Sequence, residues 1–424
     1  MKRLIINSLI LLFLTACSDG LNPVLDGTYP VPEKIQAFVS LTRSEAEFAR
    51  SSAPFALRLV DKVSTAEDGS FVVSPLGLQF ALGMLVNGTA GETERQILDV
   101  LGYPGGNNGD INGFASKMMS QLRLLDKDLR FAANNLMLTC CDYPMNPSYA
   151  AVITDCYEAM VETVDPTAVD ILSKVNEWGR THSYGLIPRV LEKVENDWML
   201  FLCNALYFKA SWHTPFEKEQ TKDEIFHKAD GSGRKTAMMH RELEAGGCRY
   251  AKGPGYAVLA LPYGSQSNLE MDIILPDEKD ALPEVLGKLL QEGGLPGLGG
   301  GYIVDCKIPR FHIHKRMDLI PVLREMGMKD AFVLRVADLS PMFINQQEAA
   351  VTQTFQETVI DVDESGAEAA SVTVVEVGKS WFSGDTTLKP EVSKVQFVAD
   401  HPFLFLVRES ASEAVILAGI YGGE

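Results

Sequence analysis

The sequence predicts an α+β fold, and three observations carry that expectation. Helical patterning crowds the first 180 residues, long β-branched and aromatic runs crowd the part after Trp198, and the two textures do not alternate as βαβ units. The first helical stretch starts at Ser44, SEAEFARSSAPFALRLVDKV, with apolar residues at roughly helical spacing. A second helix follows Ser74-Pro75 and stops near Gly88, the usual asymmetry of Pro at the start and Gly at the end. A third, GETERQILDVLG, sets Glu92 and Glu94 in its first turn, where the helix dipole favours carboxylates. Further helices are expected over 113–125, 147–159 and 171–181. The strand-like runs are MLFLCNALYFKASW, YAVLALPY, LEMDIILP, YIVDCKIPRFHI, FLFLVRE and AVILAGIYG. The Gly-rich EGGLPGLGGGY at 292–302 reads as a flexible connection, and no internal repeat is visible.

With 424 residues, 46% of them hydrophobic, the chain has material for two or three average domains or one large one. The net charge of −18 argues against a nucleic-acid partner, which needs clustered Lys and Arg. Lys2 and Arg3 precede an apolar run, 4–14, too short to span a bilayer. Leu14-Thr15-Ala16-Cys17 then resembles a bacterial lipoprotein signal. That resemblance implies a signal peptide over 1–16, a diacylated Cys17 and a tether over 17–43 rich in proline. It implies a protein exported and lipid-anchored to the bacterial cell envelope, at the outer membrane, facing periplasm or cell surface. Several acyl chains on one residue give firm anchoring where a single chain is marginal. The six other cysteines, Cys140, Cys141, Cys156, Cys203, Cys248 and Cys306, include no CxxC pair and suggest no disulfide framework.

The sequence carries none of the common catalytic motifs. There is no GxSxG elbow and no HExxH pair. The glycines at 297–301 lack the Lys-Ser/Thr of a phosphate loop. Asp361, Asp363, Ser365 and Gly366 imitate half a calcium loop, but Val372 stands where the bidentate Glu belongs. His312 and His314 would share one face of a strand, with no third metal ligand nearby in sequence. No catalytic residue, cofactor or metal is therefore expected.

The most informative segment is 363–377, DESGAEAASVTVVEV. Ala367, Ala369, Ser371, Thr373, Val375 and Val377 occupy every second position, and none is charged or larger than Val. Glu368, Ala370, Val372, Val374 and Glu376 take the other side. This is the alternation of a strand with one buried face. Yet Gly366 and the alanines make its beginning a poor permanent strand. A segment that is a loop in one state and a core strand in another would look like this.

Five blocks together resemble the serpin family, from about Ser44 to Glu424. They are FVVSPLGLQFALGMLVNGTAGETERQILDVLG; VNEWGRTHSYGLIPRVL with FLCNALYFKASWHTPF; IPRFHIHKRMDLIPVLREMGMKDAF; the hinge DESGAEAASVT; and ADHPFLFLVRE with ILAGIYG. The resemblance implies one domain over 44–424 with three β-sheets, eight or nine helices and an exposed reactive loop over about 364–395. It implies no enzyme but a suicide substrate for serine, and also cysteine, endopeptidases of trypsin-, chymotrypsin-, elastase- or subtilisin-like type, acting as a monomer. The cleaved loop would insert into the large sheet and carry the acyl-enzyme with it. Glu364, Gly366, Ala367, Glu368, Ala369, Ala370, Ser371 and Thr373 match the hinge. Counting from Gly366 sets the scissile bond at Ser380-Trp381, or one residue earlier at Lys379-Ser380. Ser74, Asn204 and Gln356 match the region where the sheet opens, and Trp212 its upper entry. Asn204 is expected to bond across the strands that part. Gly77 and Gln356 depart from the usual serine and histidine, which implies a rewired switch. The rival readings are a non-inhibitory binding protein of the same fold and a surface lipoprotein for adhesion, whose function makes no demand on strand alternation.

Overall fold

The first expected helix is two: α1 (Arg43–Ala49) and α2 (Ser52–Ala66). Thr42 and Glu45 cap α1 reciprocally, and the Ser51 hydroxyl donates to the Phe48 carbonyl at 2.8 Å where the chain breaks step. The computed structural model describes residues 34–165, 167–182, 192–194, 200–345, 348–366 and 393–423. Next come β1 (Phe71–Val73) and α3 (Pro75–Asn87), the latter buried from Pro75 to Val86. Then α4 (Gly91–Leu101) ends on Gly102 at φ 73°, a left-handed cap that suits glycine. α5 (Asn108–Gln121) starts earlier than the apolar pattern suggests because Asn107 caps it, accepting from the Asp110 amide at 3.0 Å.

The chain continues through β2 (Arg130–Cys140), α6 (Pro147–Tyr157), β3 (Met160–Val164), α7 (Ile171–His182) and β4 (Leu200–Lys209). β5 (Lys222–His227), β6 (Gly233–Leu243), β7 (Arg249–Gly253), β8 (Tyr256–Tyr263) and β9 (Leu269–Pro276) follow. After α8 (Leu282–Glu292) come β10 (Tyr302–Pro309), β11 (Phe311–Asp318), α9 (Ile320–Met326) and β12 (Gln353–Val362). The chain closes with β13 (Ser393–Val398), β14 (Phe403–Glu409) and β15 (Val415–Tyr421). YIVDCKIPRFHI is thus two strands in different sheets, broken at Arg310. The 292–302 connection is not wholly loose, because Gly299 exchanges backbone bonds with Tyr250 at 2.8 and 3.0 Å.

The strands form three sheets, as the resemblance implies: β11-β12-β4-β2-β3, β1-β15-β14-β9-β8-β7 and β13-β10-β6-β5. The five-stranded sheet has a different layer on each face. Its inner face, with Met137, Leu202, Leu206 and Ile360, joins the main core with α3 and the six-stranded sheet. Its outer face, with Leu136, Leu138, Phe201 and Cys203, forms a second cluster with Ile171, Val175 and Trp178 of α7. Alternate residues of β2 and β4 serve the two clusters, as a pleated strand dictates.

The six-stranded sheet carries a buried charge network. Arg408 on β14 bonds through Nε to Asp272 on β9, which is fully buried, and lies 2.9 Å from Glu270, which also pairs with Arg249. Burial pushes the Asp272 carboxyl up to about 6 against the pull of Arg408. Removing the cation while the carboxylates stay buried is the costly way to break such a network. Arg408→Met is expected to destabilise the protein by about 3–5 kcal/mol, read as a lowered denaturant midpoint at unchanged slope.

Candidate functional site

β4 and β12 lie side by side in parallel, in register from Gln353 opposite Phe201 to Thr358 opposite Leu206. Their outer neighbours β2 and β11 are antiparallel to them. Parallel bonds are slanted and slightly weaker per residue, so this pair is a seam in the sheet.

Under the seam, Gln356 is the clamp. Its Oε1 accepts from the Ser74 amide at 2.7 Å, and its Nε2 donates to the Ser74 carbonyl at 2.8 Å. Ser74 in turn donates through Oγ to the Ile416 carbonyl at 2.8 Å and accepts from the Gly77 amide at 3.0 Å. One side chain thereby ties β12 to the start of α3. Ser74 and Gln356, expected here from sequence, do meet.

Asn204 corrects an expectation. It does not bond across the seam: its Nδ2 donates at 2.9 Å to Asn135 Oδ1 on β2, away from β12. Asn135 donates onward to the Tyr157 carbonyl at 2.8 Å. The cause is Gly77, because a Cβ there would overlap Asn204 Oδ1. The amide oxygen fills the space a side chain at 77 would occupy, and Nδ2 turns toward β2. Asn204 Oδ1, Thr354 Oγ1 and Thr358 Oγ1 are then buried without a partner among the described residues. All three belong to the inner face of the seam strands, and each such group costs about 1–3 kcal/mol.

The upper end is closed by the turn at 363–366. Asp363 and Gly366 bridge each other, and Asp363 Oδ1 accepts from the Ser365 amide at 2.8 Å. Gly366 also bridges Ser211 just beyond β4, at φ 125°, and a Cβ there would overlap backbone atoms of 210–212. Only glycine fits this close approach. Trp212 donates its indole N–H to the Asp363 carbonyl at 2.8 Å and stacks on Tyr263 with ring centres 4.3 Å apart. Glu364 is 2% exposed, bonded by Thr221 Oγ1 at 2.6 Å and by Arg310. Burial pushes its carboxyl upward, but Thr221 and Arg310 outweigh it and hold the group below its ordinary value.

Glu364, Gly366, Ser74, Gln356 and Trp212 are therefore brought together along one seam. Ala367, Glu368, Ala369, Ala370, Ser371, Thr373, Lys379, Ser380, Trp381 and Cys17 lie outside the described residues. Sequence reading missed Asn135, Thr221, Arg310 and Thr358; only Asn135, amid the apolar run of β2, carries a local signal. His312 and His314 do share one face, where Asp361 lies 3.9 Å from His312 and Glu357 bonds His314 at 2.7 Å.

Known proteins share this architecture. The family model described as "Serpin (serine protease inhibitor)" matches residues 50–421. Plasminogen activator inhibitor 1 of Mus musculus is 28% identical over 400 residues, 90% of this chain and 93% of that protein. Serpin-Z2A of Triticum aestivum is 30% identical over 86% of this chain and 93% of its own length. Among solved structures, Serpin48 of the insect Tenebrio molitor superposes with a TM-score of 0.77 at 24% identity, covering 89% of this chain and 98% of its own. Native tengpin, a thermophilic serpin, gives 0.76 at 22% identity, covering 95% and 99%.

The clamp makes a direct prediction. Gln356→Ala would strip both partners from a buried peptide unit at Ser74, costing at least about 2 kcal/mol. A stability curve from chemical denaturation measures this, and an unchanged midpoint would show that the clamp holds nothing.

Proposed function

Because this chain belongs to the serpin family, we propose that it is a suicide-substrate inhibitor of serine endopeptidases, not a catalyst, and that its seam receives the cleaved loop. The observation that carries the reading is an agreement between two bridges. Extended as an antiparallel hairpin, the Asp363–Gly366 bridge pairs Thr373 with Gln356. Extended independently, the Ser211–Gly366 bridge pairs Thr373 with Asn204. Gln356 and Asn204 are already opposite each other across the seam. One inserted strand would satisfy both registers and convert a parallel contact into two antiparallel ones.

The same count turns Ala367, Ala369, Ser371 and Thr373 to the inner face and Glu368 and Glu376 to the outer one. Ser371 would fall between Thr358 and Leu206, and Thr373 beside Asn204. Hydroxyls would then arrive where Thr358 Oγ1 and Asn204 Oδ1 lack partners among the described residues. A protease attacking Lys379-Ser380 or Ser380-Trp381 would be held as the acyl-enzyme while the strand inserts, and β-strand addition supplies the driving force. Cys17 is proposed to carry lipid, holding the monomer at a bacterial envelope with the reactive loop facing periplasm or cell surface.

The purified protein in detergent is to be mixed in turn with trypsin, chymotrypsin, elastase and subtilisin. An SDS-stable adduct is expected with at least one, the released C-terminal fragment beginning at Ser380 or Trp381 by mass. Ala369→Arg buries a charge on the inner face and is expected to turn the protein into a substrate that is cleaved without an adduct. Clean cleavage of the unaltered chain by every enzyme would favour the non-inhibitory binding reading. Cys17→Ser is expected to move the protein from the membrane fraction to the soluble fraction, with loss of the acyl mass.

A further inference from the structure

On the outer face of the seam, β12 presents Glu357 directly opposite Ala205 of β4. The residue is 6% exposed; its Oε1 lies 2.7 Å from His314 Nε2 on β11, and its Oε2 is buried without a partner among the described residues. His314 is reached by solvent, its side chain 41% exposed. Arg316, next along the same face, lies instead over the Phe355 ring at 4.7 Å and 3.7 Å from Glu192. Arg316 stands opposite Glu357 in the register and adds its charge, but the hydrogen bond to this buried carboxylate comes from an imidazole, and histidine is the side chain whose charge changes between about pH 5 and 8.

We propose that the His314–Glu357 pair makes closure of the seam pH-sensitive: a protonated imidazole compensates the carboxylate and seats β12, and a neutral one leaves a buried, half-partnered charge that loosens it. This rests on the reading of the seam as the working part of the molecule. The charged and titratable groups on the surrounding elements are His312, His314 and Arg316 on β11, Asp361 on β12, and the buried Cys203 on β4. Glu192 and Lys193 lie in the segment after α7, and His182 ends α7, its carbonyl accepting from Asn134 opposite Ala205. Of these, His314 alone bonds Glu357. Burial holds the Glu357 carboxyl above its ordinary value, against the pull of His314 and Arg316. A group raised in this way favours the closed sheet at low pH and disfavours it as pH rises through the raised value. Protonation of either partner therefore acts in the same direction. The inner clamp does not share this response, since the Gln356 amide does not titrate.

The test is hydrogen exchange by mass spectrometry on peptides covering β4 and β12, comparing the full chain with Glu357→Gln and His314→Gln at matched pH. Intrinsic chemical exchange in peptides free of position 357 is common to the three proteins, so ratios report opening alone. At pH 8.0 the unaltered seam is expected to open roughly three- to tenfold more often than in Glu357→Gln, since one pKa unit of differential interaction is a tenfold change. That ratio is expected to shrink toward one at pH 5.5. His314→Gln is expected to open more than the unaltered chain at pH 5.5 and to match it at pH 8.0. Ratios independent of pH in both variants would overturn the proposal. Adduct formation by the same variants is scored separately, so loss of the inhibitory reading and loss of the pH response are distinguishable.

Discussion

Two parallel strands held as nearest neighbours are the constraint on which the rest of this molecule depends. β4 and β12 meet from Gln353 opposite Phe201 to Thr358 opposite Leu206 through slanted bonds, slightly weaker per residue than antiparallel ones. The rest of the site follows from holding such a pair shut without making it permanent. The inner clamp is a single amide on a single peptide unit, at Gln356 and Ser74. The upper end is closed by a short turn, whose Glu364 is fastened by Thr221 and Arg310 from outside the sheet. The outer face is covered by α7 through a cluster of its own, separate from the main core.

The two largest sheets treat buried polarity in opposite ways. In the six-stranded sheet, Arg408, Asp272, Glu270 and Arg249 neutralise one another, and the strands around them are apolar. In the five-stranded sheet, hydroxyl and amide oxygens along the seam are left without partners among the described residues. Desolvated, unpaired groups raise the free energy of the closed form, and they do so on the strands that the proposed reaction separates. One sheet is a fixed foundation; the other holds a stressed joint.

That contrast also explains what could be read in advance. α3, α4 and α7 were legible because Ser74-Pro75, Glu92 and Glu94, and the apolar stripe through Trp178 each announce a helix locally. Four strands of the six-stranded sheet were legible because β8, β9, β14 and β15 are nearly continuous apolar runs. β2 and β12 were not, since Asn134, Asn135, Gln353, Gln356 and Glu357 dilute the very pattern that marks a strand. The polarity that makes β12 part of the site hid it as an element. Ser74, Asn204, Trp212 and Gln356 were recognisable one at a time, but the direction of Asn204 was not. It depends on the hole at Gly77, more than a hundred residues away in the chain, which periodicity cannot report.

The double engagement of Gly366, with Asp363 on one side and Ser211 on the other, bears on timing. Zipping a strand into a sheet is slow chiefly at its first contact, where the ends must be found and ordered before any bond repays the entropy. Here the rung at Gly366 is already laid, and in the proposed insertion each later residue would only have to extend it. On that proposal nucleation would leave the race between strand insertion and hydrolysis of an acyl-enzyme. Propagation alone would remain on the clock, and small side chains would let it run fast.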